Sequence, residues 1–159
     1  MSNSEHNGDD VLNITIVKYH SGLGQPGIMP PKLSSTVEIT RPPTQSAKVV
    51  KTEYTDNKPS NSREGEMTDS TGLTTVLAMV DELKALPAKP TPGGPDVFGA
   101  NTVVVVREGR KVVWGYNPGG GCNAAEDPSE FHASVTDDHR AKFIDIVNKI
   151  DSASNGVVA

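Results

Sequence analysis

From Val11 the chain alternates, with Leu12, Ile14 and Ile16 apolar and Asn13, Thr15 and Val17 between them. A period of two rich in β-branched residues predicts a strand with one buried face. Ser21-Gly22-Leu23-Gly24-Gln25-Pro26-Gly27 ends that pattern with three glycines and a proline, so a wide loop follows and continues through Pro30-Pro31. Val37 and Ile39, set among Thr36, Glu38 and Thr40, form a second alternating run that Pro42-Pro43 terminates; it pairs antiparallel with the first. Ala47 to Thr55, carrying Val49, Val50 and Tyr54, reads as a third strand. Residues 56–70 are polar and aperiodic, and are expected to form an exposed excursion.

The period then changes. Asp69, Ser70 and Thr71 offer capping oxygens ahead of Leu73, Val76, Leu77, Val80 and Leu83, whose spacing makes one apolar stripe of a helix ending near Ala85. Pro87 and Pro90 forbid its continuation, and Pro92-Gly93-Gly94-Pro95 predicts a connector of extended chain. Thr102–Val106 and Lys111–Trp114 flank a turn containing Gly109 and predict a hairpin; the unbroken valines place its first strand centrally or under cover on both faces. Residues 117–135 are a second loop, rich in glycine and acid. Thr136 then caps a helix with Asp137 and Asp138 at its positive end and a face of Phe143, Ile144, Val147 and Ile150. The resulting fold class is α+β: an antiparallel four- or five-stranded sheet with two helices packed on one face and the other face partly wet. Residues 1–10 are expected to be a disordered tail, 11–151 a single domain and 152–159 a frayed tail.

Composition narrows the function. The 159 residues suffice for one modest core, and with 35% apolar and seven aromatic residues that core is small and aliphatic. Fifteen glycines and twelve prolines leave long stretches for loops. A net charge of −5 argues against gripping a phosphate backbone, so no nucleic-acid partner is expected. No apolar run approaches the ~20 residues that span a bilayer, so no membrane partner is expected. The opening MSNSEHNGDD has neither the basic nor the apolar region of a secretory leader, and the single cysteine excludes an internal disulfide; a cytoplasmic protein is expected.

Chemistry-bearing residues each have a plainer reading. Cys122 lies near His132 and His139, so a thiolate–imidazole pair is conceivable, but the run Gly119-Gly120-Gly121 fixes nothing in place and an ordinary thiol is the plainer reading. Glu126, Asp127, Glu130, His132, Asp137, Asp138 and His139 include metal-ligating types without a metal-site spacing, and the two aspartates are accounted for by the helix start. Gly22-Leu23-Gly24 is followed by neither a helix pattern nor a Lys-Ser/Thr pair, so it is no phosphate cradle. Trp114 and Tyr116 read as the lid of a thin core ahead of an interface anchor. No catalytic set, cofactor or metal is therefore expected. What remains is a scaffold with long Gly/Pro loops, which is how recognition proteins present a surface.

The order of elements resembles the emfourin family of bacterial protealysin inhibitors. The likeness runs through Ile14-Thr15-Ile16-Val17, Gly22, Gly24-Gln25-Pro26-Gly27, a helix ending in Leu86-Pro87-Ala88, Pro95-Asp96-Val97-Phe98, a hairpin with a central glycine and a terminal amphipathic helix. It departs at residues 56–70, at the loop 117–135 and at Gly99-Ala100-Asn101, and it transfers no inhibitory residue by position. The resemblance implies a small cytoplasmic inhibitor of a thermolysin-like metalloprotease, acting by occluding the cleft of that protein partner; the chain itself is expected to be a monomer. The segment expected to make contact is Gly22 to Pro31. Pro26 and Pro30 restrict its backbone, Leu23, Ile28 and Met29 offer apolar side chains, and Gln25 lies among them. Alternatives from other classes are an immunity-type or other acidic binding module, and an enzyme built on Cys122.

Overall fold

The computed structural model describes residues 11–21, 32–89, 95–118 and 134–158. Alternation does become strand: β1 spans Leu12–Ser21, β2 Lys32–Arg41, β3 Ala47–Thr55, β4 Lys58–Met67, β5 Thr102–Glu108 and β6 Lys111–Tyr116. They form one antiparallel sheet in the order β4-β3-β2-β1-β5-β6. The helices are α1, Leu73–Lys84, and α2, Asp137–Asn155. The architecture is α+β, as the pattern predicts, but the sheet has six strands where four or five are expected.

The extra strand lies in the polar stretch 56–70. Asp56 and Asn57 both adopt left-handed backbone, at φ 54° and 62°, and Thr55 pairs with Lys58 across them. That is a two-residue turn of the twist that closes hairpins, and Asp and Asn tolerate its positive φ better than other side-chain-bearing residues. Ladder hydrogen bonds come from the backbone, so β4 needs little hydrophobicity at the sheet edge. Lys58, Pro59 and a bulge between its two ends are the usual protections of an edge against wrong pairing.

Side chains on one face of the sheet build the core. Ile14, Ile16, Val37, Ile39, Val49, Val104 and Val106 are each at most 1% exposed. Against them lie Leu73, Val76, Met79, Val80 and Leu83 of α1, and Phe143, Ile146, Val147 and Ile150 of α2. Two details differ from the periodicity: Met79 is buried where Leu77 is only half-buried, and Ile146 takes the inward position while Ile144 stands 40% exposed. β5 is an interior strand, paired on both sides by β1 and β6 and next to the sheet edge, and Val103, Val104 and Val106 of its valine run are buried.

Thr136 caps α2 as expected, its Oγ1 accepting the His139 N–H at 3.1 Å. Ahead of α1 the expected caps form a turn of their own: Thr68 starts a single tight turn over Asp69–Thr71, and Gly72, at φ 117°, stands at the N-cap of the helix without a side-chain cap and redirects the chain into it. A Cβ at Gly72 would lie 3.1 Å from the Cβ of Ala153, so glycine there also lets the two helices approach closely. Toward the other end of the helix pair, Lys142 of α2 and Glu82 of α1 form an ion pair.

The tail expected to fray is instead packed. α2 continues to Asn155, the buried Ser154 hydroxyl donates to the Ile150 carbonyl at 2.9 Å, and Val158 is 9% exposed. The Val157 carbonyl passes over Gly65 of β4 so closely that a Cβ there would lie 2.0 Å away. Lys18 and Lys51 reach Asp151 at 3.1 and 3.5 Å, and Lys51 donates to Asn155 at 2.6 Å, tying the C-terminal turns of α2 to β1 and β3. The expected disordered tail 1–10 lies outside the described residues.

Candidate functional site

β1 and β2 are ten residues each and pair from Leu12 opposite Arg41 to Ser21 opposite Lys32. Their far end therefore carries the segment 22–31. Leu23, Gln25, Pro26, Ile28, Met29 and Pro30, the residues expected to contact a partner, all lie outside the described residues; the stem that presents them is described.

The sheet thins at that stem. Pairing of β1 with β5 stops at Lys18 opposite Thr102, and pairing of β2 with β3 stops at Ser35 opposite Glu53. The β1–β2 ladder itself is irregular there, with register shifts between Lys18 and Tyr19 and between Tyr19 and Ser21. Bulges of this kind increase local twist and re-aim the strand ends. Two hydrogen bonds from outside the hairpin take over where the ladders end. The Tyr19 N–H donates to the Asn101 carbonyl at 2.8 Å, and the Leu33 N–H donates to the Asn57 Oδ1 at 2.8 Å.

Asn101 is itself held firmly. The Asp96 carboxylate accepts from the Asn101 N–H at 2.8 Å, from the Gly99 N–H at 3.2 Å and from the Tyr116 hydroxyl. The Phe98 N–H donates back to the Tyr116 Oη at 2.9 Å, and Arg140 Nε donates to the Val97 carbonyl at 2.9 Å. Phe98 stacks on Phe143 with centroids 4.4 Å apart, and Tyr116 meets both rings edge-on. Burial, and secondly the neighbouring Asp96 carboxylate, push the Tyr116 phenol far above its ordinary value, so it stays a hydrogen-bond donor. Trp114 donates its Nε1–H to the Leu86 carbonyl at 3.0 Å. Both rings are thus core residues, in keeping with the lid reading.

Beside the stem, between it and the β3–β4 turn, runs an open groove of about 500 Å³ walled by His20, Lys32, Leu33, Tyr54 and Asp56. On the opposite flank a smaller hollow of about 240 Å³ lies among Tyr19, Ala100, Val147 and the exposed Ile144. The stem therefore projects between two recesses, with polar and apolar side chains on each.

The other chemical candidates separate in space or fall outside view. Cys122, Glu126, Asp127, Glu130 and His132 lie outside the described residues. His139 Nδ1 accepts the Thr136 N–H at 3.1 Å, and Asp137 pairs with Arg140 at 2.7 Å, so both serve the start of α2. Among the described residues no three His, Cys, Asp or Glu side chains converge on one point, and no helix is long and apolar enough to cross a membrane. Sequence reasoning missed Asn57 and Asp96 as supports of the stem; the pair Asp56-Asn57 between two polar runs was the available signal for the first. Neither family models, curated proteins nor solved structures match this chain.

Proposed function

We propose that the protein is a proteinaceous inhibitor of a thermolysin-like metalloprotease, occluding the active-site cleft with the segment 22–31. The observation that supports this most is the doubly anchored stem. Tyr19 and Leu33, which flank the segment, are each fixed by a hydrogen bond from a neighbouring turn. Rigid presentation matters because ordering a loop on binding costs affinity, and a stem ordered beforehand removes part of that cost and slows dissociation. Pro26, Pro30 and Pro31 restrict φ along the segment, and Leu23, Ile28 and Met29 supply apolar side chains suited to a hydrophobic specificity pocket.

The surplus of five negative charges steers the inhibitor toward a basic cleft rim, an attraction that weakens as salt rises. Incubating the purified chain with a thermolysin-like protease should abolish peptide hydrolysis at near-stoichiometric amounts. Unchanged hydrolysis together with digestion of the chain refutes the reading, and leaves an acidic module for some other protein as the successor.

A further inference from the structure

We infer that the face of the sheet turned away from the helices is the interface of a two-fold symmetric dimer, in which the sheets of two copies of this chain pack against each other. The inference is independent of the inhibitor reading, and it replaces the expected monomer.

Strand alternation fixes what that face carries. Ile16, Val37, Val49 and Val104 belong to the core under the helices, so their neighbours along each strand point the other way. The registers set Ser62, Thr52, Thr36, Val17 and Val103 side by side in one row across five strands, without a single charge. The next row runs Glu64, Val50, Glu38, Thr15, Val105 and Gly115. Val103 is buried, whereas Thr15, Val17, Thr36, Val50, Thr52 and Val105 are half-buried. A sheet face that meets water alternates to polar and charged residues. Here β-branched side chains fill the middle and charges stand toward the rim, which is the anatomy of an interface.

The rim charges are divided by sign. Glu38, Glu64 and Glu66 lie on the β2–β4 side, where the one lysine of that face, Lys48, pairs with Glu64 at 2.9 Å. Arg107 lies on the β5 side, with Arg110 and Lys111 at the turn beyond it, and among the described residues none of the three pairs with a carboxylate. A two-fold axis along the strands, between β1 and β2, lays β2 of one copy over β1 of the other, β3 over β5 and β4 over β6. Val50 then faces Val105, Thr36 faces Val17, and Glu38 and Glu66 come beside Arg107 and Lys111. Packed sheets keep their strands within about 30° of alignment, so this superposition is an ordinary one. A second copy thus matches the face in both polarity and charge.

The area suffices. Five strands across and the seven residues Leu12 to Lys18 along give a face of about 24 Å by 24 Å, or roughly 1,100 Å² over two copies before side-chain relief is counted. That clears the total of about 1,000 Å² that a specific interface needs.

The test is sedimentation equilibrium of the full chain from about 1 to 200 µM, which should show the mass rising from one chain to two and no further. Thr36→Lys puts a charge into the uncharged row and should weaken association at least about tenfold with an unchanged circular dichroism spectrum. Arg107→Glu, at the exposed rim, should weaken it several-fold, as should raised salt. Combining Arg107→Glu with Glu38→Arg should restore association to within a few-fold of wild type. If Thr36→Lys loses the wild-type spectrum, the two rim variants decide alone. A single-chain mass at every concentration overturns the inference. So does a dimer that neither Thr36→Lys nor Arg107→Glu weakens, since its interface then lies elsewhere. Weakening by Arg107→Glu that Glu38→Arg deepens rather than repairs refutes the two-fold arrangement.

Discussion

Tyr116→Phe tests whether the buried Asp96–Tyr116–Phe98 cluster holds the 95–101 turn. The substitution preserves the ring, which is fully buried and packed edge-on against Phe98 and Phe143, so no cavity opens. What goes is one oxygen that donates to the Asp96 carboxylate and accepts the Phe98 N–H. A hydrogen bond to a charged group contributes about 1.5–3 kcal/mol, and a buried N–H deprived of its acceptor costs about 1–3 kcal/mol. The two effects share an atom and are not additive, so a loss of about 3 kcal/mol is expected near neutral pH. Urea melts monitored by circular dichroism measure it directly.

Alkaline titration supplies an independent check. The folded phenol holds its proton above the ordinary value of 10.0, so the unfolded chain loses that proton first. The stabilisation is therefore complete below pH 10 and declines as pH rises past it, by about 1.4 kcal/mol per pH unit for this one group. Tyr116→Phe should show a shallower alkaline decline by that one-proton slope. A loss under about 1 kcal/mol at neutral pH, or identical slopes in the two proteins, would refute the reasoning.

Three further outcomes follow from the packing. Gly65→Ala forces a Cβ to within 2.0 Å of the Val157 carbonyl, and should destabilise by about 1–3 kcal/mol while releasing the C-terminal residues to early proteolysis. Thr136→Ala removes the oxygen that caps α2 and should cost about 1 kcal/mol in a thermal or urea melt, whereas Thr136→Ser should cost almost nothing. Asp151→Ala strips the shared partner from Lys18 and Lys51, whose side chains are only 26% and 12% exposed, and should lower stability by about 1–2 kcal/mol. Adding Lys51→Met to that variant should recover part of the loss, since the more buried of the two lysines then no longer carries a charge that has lost its carboxylate.

Much of this architecture was legible because β-branched alternation and helical stripes each obey one period. Leu12–Ile16, Thr36–Thr40 and the valines of β5 announce strands, and Thr136-Asp137-Asp138 announces a helix start. β4 was hidden for a physical reason: an edge strand pairs through its backbone and shows no apolar face, so only the turn residues Asp56-Asn57 marked it. The C-terminal packing was hidden because it depends on a glycine, Gly65, distant in sequence and uninformative by its own hydropathy. Ile144 and Ile146 exchanged roles because an apolar stripe read at one-residue resolution cannot tell which of two flanking isoleucines meets the sheet. The stem of the candidate site was legible as the ends of two strands, whereas its supports were not. Asp96 and Asn57 reach the stem through side-chain hydrogen bonds to residues 5 and 24 positions away, and such pairings leave no periodic trace.

The most direct test of the functional account is to exchange residues 22–31 for a Gly/Ser run of equal length. Inhibition of a thermolysin-like protease is then compared with that of the unaltered chain. The account predicts a chimera that keeps the wild-type circular dichroism spectrum and leaves the protease fully active, while the unaltered chain inhibits it stoichiometrically. A chimera that inhibits as strongly as the unaltered chain would contradict it.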